Sequence, residues 1–346
     1  MLSPRITQKD IALKTGVNRA TVSLAFRSHP SIPAATRERI LRIADELGYM
    51  PDPMLTALAQ YRHHRRPAAF HGTLAWLVCL HPEYDWKRSP HYLDYYTGAS
   101  QRAVRHGFKL EVVEFDPAGM NVGRMASILR ARNIGGILLC PQPTAHAVMD
   151  FPWEHFAAVT FGYTLSRPAM HTVTAAHYRS VRQTIAELCH RGYTRIGVAI
   201  NDNVDRRCDD TYRAGFLISR SLGSPDLFCE PFHQTLDIIE TPAPFLAWIR
   251  KAKPDAILTT EFRTFPLVRS AGFRVPADIG MACASLPTSE SGMSGIVENS
   301  IHIGEIAVDQ LVAMINRGER GIPEYPQRLH VEGKWHEGQS LRARPA

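Results

Sequence analysis

The stretch from Thr7 to Phe26 constrains the fold of this chain most, because it carries the signals of two short helices joined by a tight turn. Thr7 is placed to cap the first helix, and Asp10, three residues later, completes part of a capping box. Gly16 ends that helix, and Asn18 caps the next one. This pattern is typical of a helix-turn-helix unit. An ordinary helical hairpin would show the same pattern.

The second of these helices, from Arg19 to Phe26, has two different faces. Val22, Ala25 and Phe26 share one face and are expected to pack inward. The other face carries Arg19, Ala20 and Ser23. We therefore expect this helix to present polar residues from its amino-terminal end.

Charge favours the helix-turn-helix interpretation. The first 66 residues hold 11 Lys and Arg against 5 Asp and Glu, whereas the remaining 280 hold 29 against 28. Nearly all of the formal net charge of +7 therefore lies at the amino terminus. A small basic unit on a neutral body fits contact with a polyanion such as nucleic acid.

Residues 7–53, TQKDIALKTGVNRATVSLAFRSHPSIPAATRERILRIADELGYMPDP, resemble the DNA-binding headpiece of the lac and galactose repressor family. The family pattern D-I-A-x-x-x-G-V-x-x-x-T-V-S is present in order, followed by T-R-x-x-I and L-G-Y-x-P. The resemblance implies that Arg19, Ala20 and Leu24 read bases, although Leu24 stands where Arg or Lys is often found. The expected DNA-binding residues are Thr7, Asn18, Arg19, Ala20, Thr21, Ser23, Leu24, Leu58 and Arg62.

A third helix is expected from near Pro33 to Leu47, where Gly48 ends it. Beyond it, Asp52 and Pro53 begin a helix of about two turns, which is too short to be stable alone in water. A basic helical linker is one interpretation of this segment. The family resemblance implies instead a hinge helix that orders on DNA, with Leu58 inserted into the minor groove and Arg62, Arg65 and Arg66 near phosphates.

From His71 onward, apolar strands alternate with helices, which indicates parallel sheets covered on both faces. Two such sets predict two lobes. The expected strands are 74–80, 108–115, 136–140, 158–161, 195–200, 256–260 and 279–284, with a strand-like tail through Val331 and Trp335. The expected helices are 97–106, 124–132, 179–190, 211–222, 244–251, 264–271 and 303–315.

The body also resembles the regulatory domain of the same family, which is a type I periplasmic-binding-protein-like pair of α/β lobes. The matching stretches are 190–200, 253–260 and 271–281. We therefore predict an α/β two-lobed body with an N-terminal all-α headpiece. The domains are a headpiece over 1–50, a hinge and linker over 51–70, and an effector-binding and dimerisation domain over 71–346.

Three positions depart from the family pattern. The family commonly has Asp, Arg and Asp where this chain has Ala176, Tyr212 and Ser285. A sugar or nucleobase specificity therefore cannot simply be transferred. Ligands of such folds bind where the carboxyl ends of the strands of both lobes meet. By that rule the effector-binding candidates are Tyr84, Trp86, Tyr163, Asn201, Asp202, Tyr212, Glu261 and Ser285.

Other classes of function lack their sequence signals. The chain has no phosphate-binding glycine loop and no pair of metal-ligating histidines on a helix, so we expect no enzyme, no cofactor and no metal site. Asp202, Asp205, Asp209 and Asp210 form an acidic turn without calcium-loop spacing, which we interpret as solvated. The six cysteines show no C-x-x-C pair and are expected to be reduced core residues.

The sequence has no signal peptide and no run of about eighteen apolar residues, so we expect a cytoplasmic protein without a membrane partner. The prediction is a transcriptional regulator, a repressor, that binds a pseudo-palindromic double-stranded operator as a homodimer and responds to a small-molecule effector. The alternative is a solute-binding protein of the same two-lobed fold without a regulatory role.

Overall fold

The computed structural model describes residues 6–26, 32–49, 72–82, 84–116, 119–287 and 292–344. The first two ranges contain α1 (Gln8–Thr15), α2 (Arg19–Phe26) and α3 (Ala34–Glu46). These helices bury one small shared core. Its buried members are Ile11, Ala12, Val22, Ala25, Ile32, Ile40 and Ala44. The three helices and their bounds agree with the sequence prediction.

The remaining ranges form a body of alternating strands and helices. Its strands are β1 (Gly72–Cys79), β2 (Phe108–Phe115), β3 (Gly136–Leu139), β4 (Ala147–Val148), β5 (Ala157–Phe161), β6 (Leu165–Arg167), β7 (His171–Ala175), β8 (Ile196–Asn201), β9 (Phe232–Gln234), β10 (Ala256–Thr259), β11 (Gly280–Leu286), β12 (Ser294–Val297), β13 (Arg328–Val331) and β14 (Lys334–His336). Its helices are α4 (Pro90–Arg105), α5 (Val122–Ala131), α6 (His177–His190), α7 (Asp202–Arg207), α8 (Thr211–Leu222), α9 (Ala243–Ala252), α10 (Thr264–Ser270) and α11 (Ser300–Arg317).

Two six-stranded sheets divide the body into two lobes. The first has the order β13-β7-β5-β3-β1-β2 and is parallel throughout. The second has the order β14-β12-β11-β10-β8-β9, and only β14 runs antiparallel to its neighbour. Strands β3, β5, β8 and β11 are buried on both faces, as apolar parallel strands between helices require. The predicted two-lobed α/β fold is confirmed.

The chain crosses between the lobes three times. The first crossing joins β7 of lobe 1 to α6 of lobe 2, the second joins β12 of lobe 2 to α11 of lobe 1, and the third joins β13 to β14. Each lobe is therefore built from separate stretches of sequence. Residues at these crossings therefore lie between the lobes, and some of them form the site described below.

Helices α4 and α11 pack very closely in lobe 1. A Cβ atom on Gly304 would lie 2.0 Å from the carbonyl oxygen of Tyr95, so no other residue fits there without moving a backbone. This contact fixes the amino-terminal end of α4, including His91 and Tyr92, at the edge that faces lobe 2.

Several expectations need correction. The helix predicted over 97–106 begins two turns earlier, at Pro90, because Pro suits the first helical position and Ser89 precedes it. The short strands β4, β6, β9 and β12 and the helix α7 were not predicted. All six cysteines are free, and Cys140, Cys229 and Cys283 are buried as predicted, but Cys79 and Cys208 are half-buried and Cys189 is exposed.

Candidate DNA interface and inter-lobe site

The turn between α1 and α2 is held by backbone geometry and by capping side chains. Gly16 adopts a left-handed conformation with φ 69°, which an L-residue reaches only with strain. Asn18 Oδ1 accepts hydrogen bonds from the backbone N–H of Thr21 at 2.7 Å and from its hydroxyl at 3.0 Å. At the start of α1, the Thr7 backbone N–H and hydroxyl each donate to Asp10 Oδ2 at 2.7 Å. The predicted caps are confirmed.

The two faces of α2 differ as predicted. Val22 and Ala25 are buried in the headpiece core, while Arg19 and Ala20 at the amino-terminal end are exposed. The phenyl ring of Phe26 packs on Tyr49, with ring centroids 5.2 Å apart, which ties α2 to the end of α3. The exposed amino-terminal end of α2 thus belongs to a helix whose other face is packed in the headpiece core.

Of the other predicted DNA-binding residues, Thr7 and Asn18 are exposed, whereas those further along α2 are less so. Thr21 and Ser23 are half-buried, and the Thr21 hydroxyl is used in the Asn18 cap. Leu24 is also half-buried and packs against the headpiece core, so only part of its side chain is available to a ligand. Leu58 and Arg62, with the whole predicted hinge helix, lie outside the described residues.

A buried carboxylate lies between the lobes. Glu298 is at the second crossing and is 3% exposed. Its Oε1 accepts hydrogen bonds from the hydroxyl of Tyr212, at 3.2 Å, and from that of Ser285. Its Oε2 lies 3.2 Å from Nδ1 of His91, and His177 Nε2 lies 3.7 Å from Oε1. Two of the predicted effector residues, Tyr212 and Ser285, therefore meet on one protein carboxylate.

This cluster ties the two lobes together. His91 is on α4 of lobe 1, and its Nε2 lies 3.3 Å from the hydroxyl of Ser285 on β11 of lobe 2. Burial alone raises the pKa of Glu298, but the two histidines and the hydroxyl donors oppose burial and hold that pKa below its usual value. Burial lowers the pKa of His177, which favours its neutral form. Because these groups donate to it, the buried carboxylate of Glu298 stays ionised without contact with water.

Arg207 forms a second link between the lobes, and the sequence analysis missed it. It ends α7 in lobe 2, and its guanidinium donates to the carbonyl oxygen of Pro143 at 2.6 Å and to the hydroxyl of Tyr92 at 3.0 Å, both in lobe 1. The same group lies 5.5 Å from the ring centroid of Tyr84. Among the residues that the structure describes, no carboxylate pairs with Arg207. No sequence motif distinguishes it from its neighbour Arg206.

The other aromatic candidates differ in position. Tyr84 is half-buried beneath Arg207, and its hydroxyl donates to the Pro141 carbonyl at 3.0 Å. Tyr163 is half-buried, with its hydroxyl 3.4 Å from His330 Nε2. Trp86 is 4% exposed and packs against Trp76 in the core of lobe 1, with ring centroids 5.6 Å apart. Trp86 thus stabilises the lobe and does not line the crevice in this conformation.

The polar candidates of lobe 2 are engaged locally. Asn201 caps α7 through the backbone N–H groups of Asn203 and Val204 and donates to the Leu236 carbonyl at 2.8 Å. Asp202 Oδ1 accepts from Arg213 at 2.6 Å. Glu261 binds Arg263 at 2.7 Å on an exposed loop.

The acidic turn is not solvated throughout, contrary to expectation. Asp205 is fully buried, and its Oδ1 accepts from the backbone N–H groups of Tyr212, at 3.1 Å, and of Arg213, at 3.3 Å. It therefore fixes the start of α8. In the described part of the chain, no group of three or more His, Cys, Asp or Glu residues is arranged to hold a metal ion. No helix in that part is long and apolar enough to cross a membrane.

A cavity of about 170 Å³ lies at the first crossing, at the amino-terminal end of α6. Tyr163, Ala175 and His330 line it from lobe 1, and His177 and Thr211 line it from lobe 2. Ala176 is the N-cap of α6 and provides no capping side chain. The first backbone N–H groups of the helix therefore have no side-chain acceptor from the N-cap residue.

Comparisons with known proteins match the headpiece and longer stretches of the chain to different extents. The family model described as bacterial regulatory proteins, lacI family, matches residues 7–52. HTH-type transcriptional repressor MelR of Bacillus subtilis (strain 168) is 25% identical over 193 residues, which are 55% of this chain and 52% of MelR. HTH-type transcriptional repressor CytR of Escherichia coli (strain K12) is 48% identical over 48 residues, 14% of each protein. The chain thus spans about half the length of MelR and far less of CytR.

Solved structures share the fold at low sequence identity. A transcriptional regulator CelR–cellobiose complex has a TM-score of 0.56 at 20% identity and covers 97% of this chain and 100% of its own. The lac repressor dimer bound to operator and the anti-inducer ONPF has a TM-score of 0.57 at 15% identity, covering 98% of this chain and 100% of its own. The family model thus matches the headpiece alone, while the solved structures share the two-lobed fold of the chain.

Proposed function

We propose that this protein is a sequence-specific DNA-binding transcriptional regulator, a repressor, whose operator affinity changes when a small molecule binds between its lobes. The observation that carries the proposal is the exposed amino-terminal end of α2, where Arg19 and Ala20 project from a helix whose opposite face is locked into the headpiece core. A helix presented in this way fits the major groove of DNA. Positive charge around it supplies affinity for phosphates.

The protein acts as a homodimer in this proposal. A two-fold dimer presents two headpieces, so it binds an operator made of two inverted half-sites. The solved lac repressor dimer on its operator, which shares this architecture, supports that arrangement. A cytoplasmic location follows from the proposed access to DNA.

The body supplies the response to a small molecule. Its lobes meet through Arg207 and through the Glu298 cluster, so a ligand that binds between them changes which of these contacts can form. A relative rotation of the lobes would change the spacing of the two headpieces in a dimer. The solved regulators with bound cellobiose and glucose support a ligand-binding role for such a body. We keep the domain bounds 1–50, 51–70 and 71–346 as part of this proposal.

The segment over 51–70 acts as a DNA-ordered hinge in the proposal, with Leu58 as a wedge in the minor groove and Arg62 near phosphates. A wedge must unstack a base step, which costs a few kcal/mol and bends the DNA. Leu58→Ala should therefore lower operator affinity and reduce the bend, measured by the gel mobility of circularly permuted fragments. Unchanged bending would leave this segment as a basic linker.

A solute-binding protein is the second candidate, because the body alone is similar to a solved periplasmic binding protein/LacI transcriptional regulator complexed with D-xylulofuranose, with a TM-score of 0.58 over 78% of this chain. The two candidates differ in DNA binding. A solute-binding role needs no specific DNA sequence and no exposed recognition helix.

Selection of DNA sequences from a random library by the full-length protein tests the proposal. We expect an inverted repeat to be enriched. Arg19→Ala should relax the preference at one position of each half-site, since a bidentate contact from Arg to guanine contributes about 1–3 kcal/mol of discrimination. Arg250→Ala, which removes the same charge from an exposed helix of lobe 2, is the matched control and should leave the preference unchanged. Enrichment of no sequence would refute the regulator.

A further inference from the structure

We propose that the ligand bound between the lobes carries an oxyanion group, a carboxylate or a phosphate, and that this group binds at the amino-terminal end of α6 beside His177. The inference rests on the proposed function, since it names the chemical class of the small molecule that regulates DNA binding.

The amino-terminal end of α6 is an open donor site. The helix has fourteen residues, and its N-cap is Ala176, which has no side chain able to accept a hydrogen bond. The first backbone N–H groups and the positive end of the helix dipole therefore face the cavity of about 170 Å³ without a competing acceptor at the cap. This combination attracts anions. An Asp at position 176 would cap the helix and repel an anion, and it would instead accept hydrogen bonds from the hydroxyl groups of a neutral ligand.

His177 provides a second, independent donor. It is 7% exposed and lines the same cavity, and its Nδ1 is buried without a hydrogen-bond partner. Its Nε2 lies 3.9 Å from the thiol of Cys208. Nε2 also lies 3.7 Å from Oε1 of Glu298, so the contacts of this nitrogen are made within the protein. In the proposal Nδ1 carries a proton and donates it to the bound oxyanion, which gives this nitrogen the partner that it lacks.

The charges around the cavity also favour an anion. Among the described residues that line it, none is acidic, and Arg179 and His330 are both present. Arg179 pairs with Glu332 at 2.6 Å on the exposed rim, so part of its charge is neutralised. Asp209 lines the adjoining cavity, together with Arg328. Glu298 lies behind His177 and is held by its own donors.

The volume limits the size of the ligand. A cavity of about 170 Å³ is below the roughly 300–1,000 Å³ typical of sites for drug-sized molecules. A small organic acid or a monosaccharide acid fits this space better than an oligosaccharide. The same donor set serves either oxyanion, so the experiment must separate carboxylates from phosphates.

Thermal unfolding of the full-length protein tests the inference with matched probes at constant ionic strength. The probes are D-glucose, D-glucuronate and D-glucose 6-phosphate, which share a ring, together with L-lactate and inorganic phosphate. We expect at least one acid to raise the melting temperature more than glucose does. Stabilisation by glucuronate or lactate alone assigns a carboxylate, and stabilisation by the two phosphates alone assigns a phosphate. No stabilisation by any of the four acids overturns the inference.

Two substitutions of equal size at position 176 test whether the acid binds at the amino-terminal end of α6. Ala176→Asp should cap α6, keep the protein folded and weaken binding of the acid by about tenfold or more, because like charges placed together are strongly unfavourable. Ala176→Asn caps the same helix without charge and should weaken the acid less than Asp does. Equal affinity of the acid for the wild type and for Ala176→Asp would also overturn the inference.

Failure of this inference is distinguishable from failure of the proposed function. Specific DNA binding is measured without any ligand, and acid binding is measured without DNA. A protein that selects an inverted repeat but ignores all four acids is a regulator with a different ligand. A protein that binds an acid at α6 but selects no DNA sequence has the anion site and is not the proposed regulator.

Discussion

The headpiece exposes polar side chains to solvent, whereas the inter-lobe crevice buries them. The headpiece keeps Arg19 and Ala20 on its surface, ready for a partner, whereas the crevice buries Tyr212, Ser285 and Glu298 against one another. A surface meant for a polyanion needs exposed donors and positive charge. In the crevice the side chains instead bind each other across the lobes.

Truncation of a buried core residue should show the largest difference in stability between the headpiece and the body. Ile40 is fully buried in the small headpiece core, and Ile40→Ala should cost about 2–5 kcal/mol in the free energy of unfolding of the headpiece. A core this small has little stability to lose, so the headpiece should unfold and specific DNA binding should disappear. Hydrogen exchange of the α1–α3 amides, with calorimetry of the body, measures both effects.

Two matched variants complete that experiment. Leu41→Ala, at an exposed neighbouring position, should leave DNA binding intact. Leu258→Ala, in the fully buried strand β10, should lower the melting temperature of the body and leave the headpiece amides protected. Loss of body stability in Ile40→Ala would show that the two regions do not unfold independently.

Removal of the Arg207 link should have the next largest effect. Arg207→Ala deletes two charge-assisted hydrogen bonds across the lobes, each contributing about 1.5–3 kcal/mol. We expect a lower melting temperature of the body and a larger radius of gyration by small-angle X-ray scattering, because the lobes separate more easily. Arg206→Ala removes the neighbouring exposed charge and should change neither quantity. An unchanged radius in Arg207→Ala would contradict a linking role.

Loss of the α2 cap should weaken only the headpiece. Asn18→Ala removes the acceptor for the Thr21 N–H and should destabilise α2 by about 1 kcal/mol. Operator affinity should fall modestly while the melting temperature of the body stays constant. Asn18→Asp retains the acceptor and should preserve helix stability, as measured by exchange of the α2 amides. An equal loss of α2 stability in Asn18→Ala and Asn18→Asp would contradict a capping role for Asn18.

The smallest expected effect is the part of the pH dependence of body stability that arises in the crevice. Burial lowers the pKa of His177 below 6.5, so the unfolded chain binds a proton that the folded protein resists, and body stability should decrease as pH falls below about 6.5. The pKa of Glu298 is also lowered, so its contribution to stability is present above 4.5 and is lost as pH falls through its folded value. Denaturant unfolding from pH 8 to pH 4 measures the slope.

One substitution tests whether His177 causes the change of body stability with pH. His177→Gln should flatten the upper part of the pH profile, near pH 6.5, while His190→Gln, at the exposed end of the same helix, should not. The same slope in wild type and His177→Gln would assign the pH dependence to other groups.

Local rules made the headpiece predictable. Gly16, Asn18 and Asp10 act within a few residues of their positions, so their roles follow from the sequence alone. The strands of the body were predictable for a similar reason, since a buried parallel strand is apolar along its whole length. The exact start of α4 was missed although its first two turns carry a helical spacing, with Tyr92, Tyr95, Tyr96 and Ala99 all packed in or against the core of lobe 1.

Most of the crevice could not be predicted in this way. His91, His177 and Glu298 come from three different stretches of sequence, and only the crossings between the lobes bring them together. Ser285 and Tyr212 were expected near a ligand, and in this structure both donate hydrogen bonds to the carboxylate of Glu298. Trp86 was expected at the crevice by its position after β1, but its apolar ring is buried in the core of lobe 1.

The central claim is that ligand binding between the lobes and operator binding at the headpiece are coupled. Calorimetric titration of a ligand that binds the body, performed with and without the selected operator, tests it most directly. Thermodynamic linkage requires the operator to change ligand affinity by the same factor by which the ligand changes operator affinity, commonly about 5-fold to 150-fold. A reciprocal change of this size is the predicted result, and a ligand affinity that is identical with and without operator would contradict the claim.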